Sequence, residues 1–165
     1  MGRSTYLVAL GSNRVGRHGR PRDEVAAALR LLGGRASPIV ASAPLGPSTR
    51  TFANAAALID TDESPADLLA RLKRIERAFG RRAGRRWGAR VIDLDMILWS
   101  GGRVASRRLT VPHRLFRQRA FVLAPAAHLA PEWRDPVTGL ALRHLRARLT
   151  ARRPAPRSRE HCWGP

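Results

Sequence analysis

Between Val91 and Trp99 the chain reads V-I-D-L-D-M-I-L-W, and no other segment constrains the fold as much. Bulky and β-branched residues at a two-residue repeat describe a strand. Ile92, Leu94, Met96 and Leu98 fall on one face, and Val91, Asp93, Asp95, Ile97 and Trp99 on the other. The two carboxylates share a face, about 7 Å apart at their Cα atoms, with apolar neighbours on either side. Such a strand needs a covered sheet. Two partly desolvated like charges also repel, so each prefers to protonate unless a cation lies between them.

The rest of the chain supplies the partners for that strand. Thr5–Leu10 is an apolar, β-prone run closed by the turn cluster Gly11-Ser12-Asn13. Asp23 to Leu32 sets Val25, Ala26, Leu29 and Leu32 at helical spacing and stops at Gly33-Gly34. A short strand is expected at Ile39–Ser42, then a proline-glycine loop from Pro44 to Ser48. Phe52–Asp60 alternates, with Phe52, Asn54, Ala56 and Leu58 on one face. Ser64, Pro65 and Asp67 spell a helix start with a capping box, and Leu68, Leu72, Ile75 and Phe79 form its buried stripe up to Gly80. Leu109–Pro112 reads as extended, Phe121–Leu129 as a helix interrupted around Pro125, and Leu140–Leu149 as a last helix.

Strands and helices therefore alternate irregularly, which predicts an α+β sandwich with helices over a mostly antiparallel sheet. A parallel, doubly wound nucleotide fold is disfavoured, because no G-K-[ST] follows Gly11-Ser12-Asn13. The expected organisation is one domain over residues 1–150. A basic Pro/Arg-rich tail, 151–165, has too little apolar content to fold.

Charge enters next. The chain carries 31 Lys+Arg against 12 Asp+Glu, a net +19, and Lys73 is its single lysine. So basic a chain attracts polyanions, which leaves RNA binding and phosphate-handling catalysis as competing classes. No stretch of about 18 apolar residues is present, so a membrane span is not expected. The lone Cys162 excludes a disulfide framework and points to the cytoplasm.

Arg81, Arg82, Arg85, Arg86 and Arg90 crowd a loop punctuated by Gly80, Gly84 and Gly88, immediately before the aspartates. Guanidinium groups beside a carboxylate-held divalent cation are what polyphosphate chemistry requires, and magnesium suits two carboxylates plus substrate phosphates. Taken alone, the D-x-D pair is equally compatible with arginine pairing on an edge strand. Phe52 and Asn54 share a face that suits a flat heterocycle, although Phe52 also serves as core filler.

The stretches R-W-G-A-R-V-I-D-L-D-M-I-L-W and L-T-V-P-H followed by R-A-F-V-L-A-P resemble the signatures of the 6-hydroxymethyl-7,8-dihydropterin pyrophosphokinases. A-L-G-S-N, P-L-G-P and F-x-N-A-A fit in the same order, over about Tyr6 to Leu145. The resemblance implies a ferredoxin-like α+β sandwich that moves pyrophosphate from ATP to a reduced pterin alcohol in folate synthesis. By the same resemblance, Asp93 and Asp95 would hold two magnesium ions. Arg81, Arg90 and Asp95 would be catalytic, and Glu76, Arg90, His113 and Arg119 would meet ATP. The pterin would meet Ser42, Ala43, Leu45, Phe52, Asn54, Trp87 and Phe121. A second catalytic arginine is left open between Arg82 and Arg85. The expected partners are ATP and the pterin, in a monomer without a nucleic-acid or membrane role. Phe52 stands where the family commonly has tyrosine, which keeps the ring and drops a hydroxyl.

Overall fold

A computed structural model describes residues 2–42, 51–80 and 91–151. The expected loop at Pro44–Ser48, the arginine-glycine loop at Arg81–Arg90 and the tail from Arg152 lie outside them. The elements run β1 (Ser4–Ser12), α1 (Pro21–Leu32), β2 (Arg35–Ala36), β3 (Val40–Ser42), β4 (Phe52–Thr61), α2 (Pro65–Gly80) and β5 (Asp93–Trp99). A hairpin of β6 (Val104–Ala105) and β7 (Thr110–Val111), a 3-10 turn (Phe116–Gln118), α3 (Ala120–Leu129) and α4 (Leu142–Thr150) complete the order.

The sheet runs β2-β4-β1-β5, with β3 continuing the β2 side along β4, and its ladders are antiparallel. Its two faces bury two separate clusters. Tyr6, Val8, Leu10, Leu94 and Met96 pack with Val25, Ala28, Leu68, Leu72 and Phe79 from α1 and α2. Leu7, Ala9, Ala56 and Leu58 pack with Val122, Leu123, Ala126, Leu142 and Leu145 from α3 and α4. The small residues of β4 let α1 and α3 approach its two faces. The α+β class read from the sequence is what the chain adopts.

Local rules explain most element ends. At α2, the Asp67 N–H donates to Ser64 Oγ (3.2 Å) while the Ser64 hydroxyl donates to the Asp67 carboxylate (2.6 Å). Helix α1 begins two residues earlier than its apolar spacing indicated, because Pro21 is a good first-turn residue and Asp23 caps the Arg20 N–H. Pro125 does not interrupt α3. The helix loses one backbone donor there, but Val122, Leu123, Ala126 and Ala127 are buried on both sides of it.

Strict alternation fails at one place on β5. Tyr6 pairs with Trp99 and Leu7 with Leu98, but Val8 pairs with Met96, so Ile97 is the extra residue of a bulge. Ile97 and Leu98 then both join the α3/α4 cluster, while Trp99 turns to the α1/α2 side and stacks at 6.3 Å on Tyr6. Trp99 is thus not on the aspartate face, contrary to the alternation. Asp93 and Asp95 lie before the bulge and keep their shared face.

Candidate active site

The register of three strands places the polar side chains. Gly11 on β1 pairs with Asn54 on one side and with Asp93 on the other; the next row on this face is Ala56, Ala9 and Asp95. Asn54 and Asp93 therefore flank a residue with no side chain. A Cβ at Gly11 would stand 3.2 Å from Asn54 Oδ1, so the glycine keeps this strip of floor open. It is a site residue that the sequence reading did not single out; the signal was there in G-S-N at the end of a strand.

Asn54 is buried (3% exposed) and its Nδ2 donates to Ser42 Oγ at 2.7 Å. That bond fixes the amide, leaving Oδ1 on the Gly11 side. Ser42 pairs in turn with Phe52, which is half-buried on the same face as Asn54. Across the floor, Phe121 opens α3, half-buried against the second cluster, with the Arg119 guanidinium 5.8 Å from its ring centre. Asp93 is exposed and Asp95 half-buried.

The bulge at Ile97 also serves this end of the sheet. The Ile97 carbonyl accepts the His113 N–H (3.1 Å), which anchors V-P-H beside β5. His113 Nδ1 accepts the Leu115 N–H (3.3 Å), so the ring proton of the neutral form sits on Nε2. Burial holds the His113 pKa below its usual 6.5; the nearby Asp95 charge opposes this and Arg119 reinforces it. His113 is therefore a neutral donor at pH 7.

Glu76 sits apart from the open floor. It is 7% exposed, accepts the Leu94 N–H (2.9 Å) through Oε1 and pairs with Lys73 Nζ (2.8 Å) through Oε2. Its carboxylate braces the residue between the two aspartates from the α2 side. It also occupies a buried position of α2 while Ile75 of the expected stripe is only partly buried.

The described residues thus bring Ser42, Phe52, Asn54, Asp93, Asp95, His113, Arg119 and Phe121 to one end of the sheet. Ala43, Leu45, Arg81, Arg82, Arg85, Trp87 and Arg90 lie outside the described residues. Chemically, the arrangement offers an amide and two rings for a flat heterocycle, and carboxylates with cationic and neutral donors for a charged phosphate chain.

Comparisons with known proteins point the same way. Residues 7–131 match the family described as 7,8-dihydro-6-hydroxymethylpterin-pyrophosphokinase. A 2-amino-4-hydroxy-6-hydroxymethyldihydropteridine pyrophosphokinase of Pseudomonas aeruginosa is 44% identical over 139 residues, covering 78% of this chain and 82% of the relative. A protein of the same name from Methylorubrum extorquens is 51% identical over 81 residues, 49% of this chain and 51% of that relative's length. A solved Plasmodium falciparum HPPK-DHPS chain superposes with a TM-score of 0.67 at 13% identity, over 89% of this chain and 45% of that one, and bears on the fold alone. On the strength of the family match and the relatives' identity, the chain belongs to the 7,8-dihydro-6-hydroxymethylpterin-pyrophosphokinase family.

Proposed function

We propose that this chain transfers the terminal pyrophosphate of ATP to the hydroxymethyl group of 6-hydroxymethyl-7,8-dihydropterin, releasing AMP, as a step of folate synthesis. One observation carries the reading: the row Asn54–Gly11–Asp93 with Asp95 in the next row, an amide facing two carboxylates across a bare glycine, in a chain of this family.

In this reading Asn54, steadied by Ser42, meets the polar edge of the pterin, and Phe52 and Phe121 contact its faces. Ala43, Leu45 and Trp87 complete the pterin contacts by family resemblance. Asp93 and Asp95 present hard oxygen donors from consecutive same-face positions, the donor set that suits magnesium. Asp93 and Asp95 would hold the metal, with ATP phosphates and water as its further ligands. The family resemblance gives two ions. When bound, magnesium neutralises the phosphate oxygens and stabilises AMP as the leaving group.

The chain's own groups then do the following. Floor and rings hold the pterin hydroxyl in line with the β-phosphorus, which converts an encounter into an aligned displacement. The hydroxyl oxygen bonds to that phosphorus while the bond to the α-phosphate oxygen breaks. Asp95 takes the hydroxyl proton. Arg119 and the His113 Nε2–H donate to non-bridging oxygens, with Arg81 and Arg90 assigned to the same task and Glu76 to the nucleotide's neighbourhood. The enzyme works as a cytoplasmic monomer on small molecules, with residues 1–150 as the pyrophosphokinase domain. No helix among the described residues is long and apolar enough to cross a membrane.

Incubation with Mg-ATP and the pterin alcohol tests the reading. AMP appears in step with the pterin diphosphate; ADP in its place, or no turnover, overturns it. The rival, a basic RNA-binding protein, predicts RNA affinity that falls steeply with salt and no AMP.

A further inference from the structure

The segment from Ser12 to Glu24 carries a buried carboxyl group, hydrogen-bonded to a histidine, that the reaction described above does not use. Glu24, in the first turn of α1, is 0% exposed. Its Oε1 accepts the His18 backbone N–H at 2.6 Å, and its Oε2 lies 2.8 Å from His18 Nδ1. A carboxyl group with no access to water is costly unless its partners replace the lost hydration, so these two contacts hold the segment against α1.

What this pair fixes is visible in its neighbours. The His18 ring rests on Phe79, ring centres 4.5 Å apart, and Arg17 Nη1 donates to the Ala78 carbonyl at 3.1 Å. Ser12 Oγ donates to the Val91 carbonyl at 2.6 Å. Gly16 is wedged between the two sides: a Cβ there would stand 2.6 Å from Glu24 Oε1 and 2.6 Å from Val91 Cγ1. Gly80, at φ +122°, in turn lies against Val91, whose Cγ2 would be 3.6 Å from a Cβ at that glycine. One short segment therefore grips the last turn of α2 and the residue two before Asp93, and holds them together.

We infer that the Glu24–His18 pair, with Gly16 and Ser12, is a positioning brace for catalysis: it sets where α2 ends and where β5 begins, and with that the approach to Asp93. The inference rests on the pyrophosphokinase reading for its chemical consequence, not for its mechanics. Arg81 and Arg90 are the sequence neighbours of the two gripped residues, Gly80 and Val91, so the brace also fixes the points from which both arginines depart. Apart from Ser12, which follows Gly11 in β1, the brace residues Glu24, His18 and Gly16 meet one another, the end of α2 and Val91 rather than the floor formed by Asn54, Gly11 and Asp95. Their loss should therefore leave substrate affinity largely intact while misaligning the groups that act on the phosphates.

Two variants test it, with two readouts. Glu24→Ala removes the acceptor for both His18 contacts. Gly16→Ala keeps both side chains of the pair but forces the Glu24 carboxyl and Val91 apart, and it stands alone if the first variant fails to fold. In each folded variant, kcat should fall about 10- to 100-fold, with the KM of ATP and of the pterin alcohol changed by less than about threefold. Amide hydrogen exchange should quicken at Ala78–Gly80 and Val91–Leu94 while β4 and α3 stay protected. Folded variants with kcat within about twofold of the parent overturn the inference. So does faster exchange spread evenly over the sheet, which marks a merely stabilising pair. If the parent itself makes no AMP, the pyrophosphokinase reading fails, and the exchange pattern still decides whether the brace exists.

Discussion

Asp135 offers the sharpest stability test, because its environment is fully specified. Its carboxylate is 0% exposed and accepts Arg117 Nε and Nη2 at 2.7 Å each, the Thr138 hydroxyl at 2.6 Å and the Val137 N–H at 3.1 Å. It ties the turn before α4 to the 3-10 turn that leads into Arg119 and Phe121. Replacing Asp135 by Ala strands the Arg117 charge and two further donors. Breaking a buried pair costs about 3–5 kcal/mol; Arg117 keeps a quarter of its side chain in water, so about 3 kcal/mol is the fitting figure. For a chain of this size each kcal/mol moves Tm by about 2–4 °C, giving a drop of about 6–12 °C at pH 7. The pH dependence carries the sign. Burial pushes the Asp135 pKa up, but the Arg117, Thr138 and Val137 hydrogen bonds outweigh it and hold it below the usual 3.8. The stabilisation is therefore complete above about pH 4 and fades as pH falls through the lowered value. Thermal unfolding followed by circular dichroism at pH 7 and pH 3 reads both effects. The gap between parent and variant should narrow in acid. A Tm loss under about 2 °C at pH 7, or a gap that stays constant with pH, refutes the reasoning.

Three further outcomes follow from the site. Asp95→Asn should fold with an unchanged Tm within about 2 °C and lose AMP release by at least about 100-fold, since a half-buried carboxylate in the open end stabilises little; near-parental turnover would remove Asp95 from the chemistry. Gly11→Val fills the strip between Asn54 and Asp93, so pterin affinity measured by calorimetry should fall about 10-fold or more while ATP affinity holds, and equal losses for both ligands contradict the open floor. His113 excludes a proton that the unfolded chain binds, so its contribution lowers stability as pH drops from about 6.5; an NMR titration that places its pKa at 7 or above refutes the neutral donor.

The long elements were legible because their signals repeat. β1, β4 and α2 each carry enough apolar periods to fix both type and face, and the Ser64-Asp67 cap marks where α2 begins. Two-residue strands such as β2 and β6 carry no period at all. The bulge at Ile97 is hidden for a different reason: Met96, Ile97 and Leu98 are all apolar, so a phase change among them alters nothing in the pattern. D-L-D set two carboxylates on one strand face, yet the openness of the floor beside them depends on Gly11, a residue recognised only through register. The burial of Glu24, Glu76 and Asp135 is not written in the pattern, since it depends on partners that helix periodicity does not reveal. His18 and Arg117 lie within reach of them only once the turns between are folded.

Glu76 has a consequence for how the protein keeps company with its own copies. An edge strand with free backbone donors and acceptors is a template for another strand. On the β5 side the Leu94 N–H is already given to Glu76 and the Ile97 carbonyl is taken by His113. On the far side β2 and β3 are cut short by Ser37-Pro38: Ser37 trades bonds with both backbone groups of Ala56, and Pro38 has no N–H to offer. One donor and one acceptor of β5 are thus withheld from strand addition, and the opposite margin offers only the short β2 and β3, broken at Ser37-Pro38. The carboxylate that steadies the residue between the two aspartates also removes one edge donor from the set that a neighbouring strand could use.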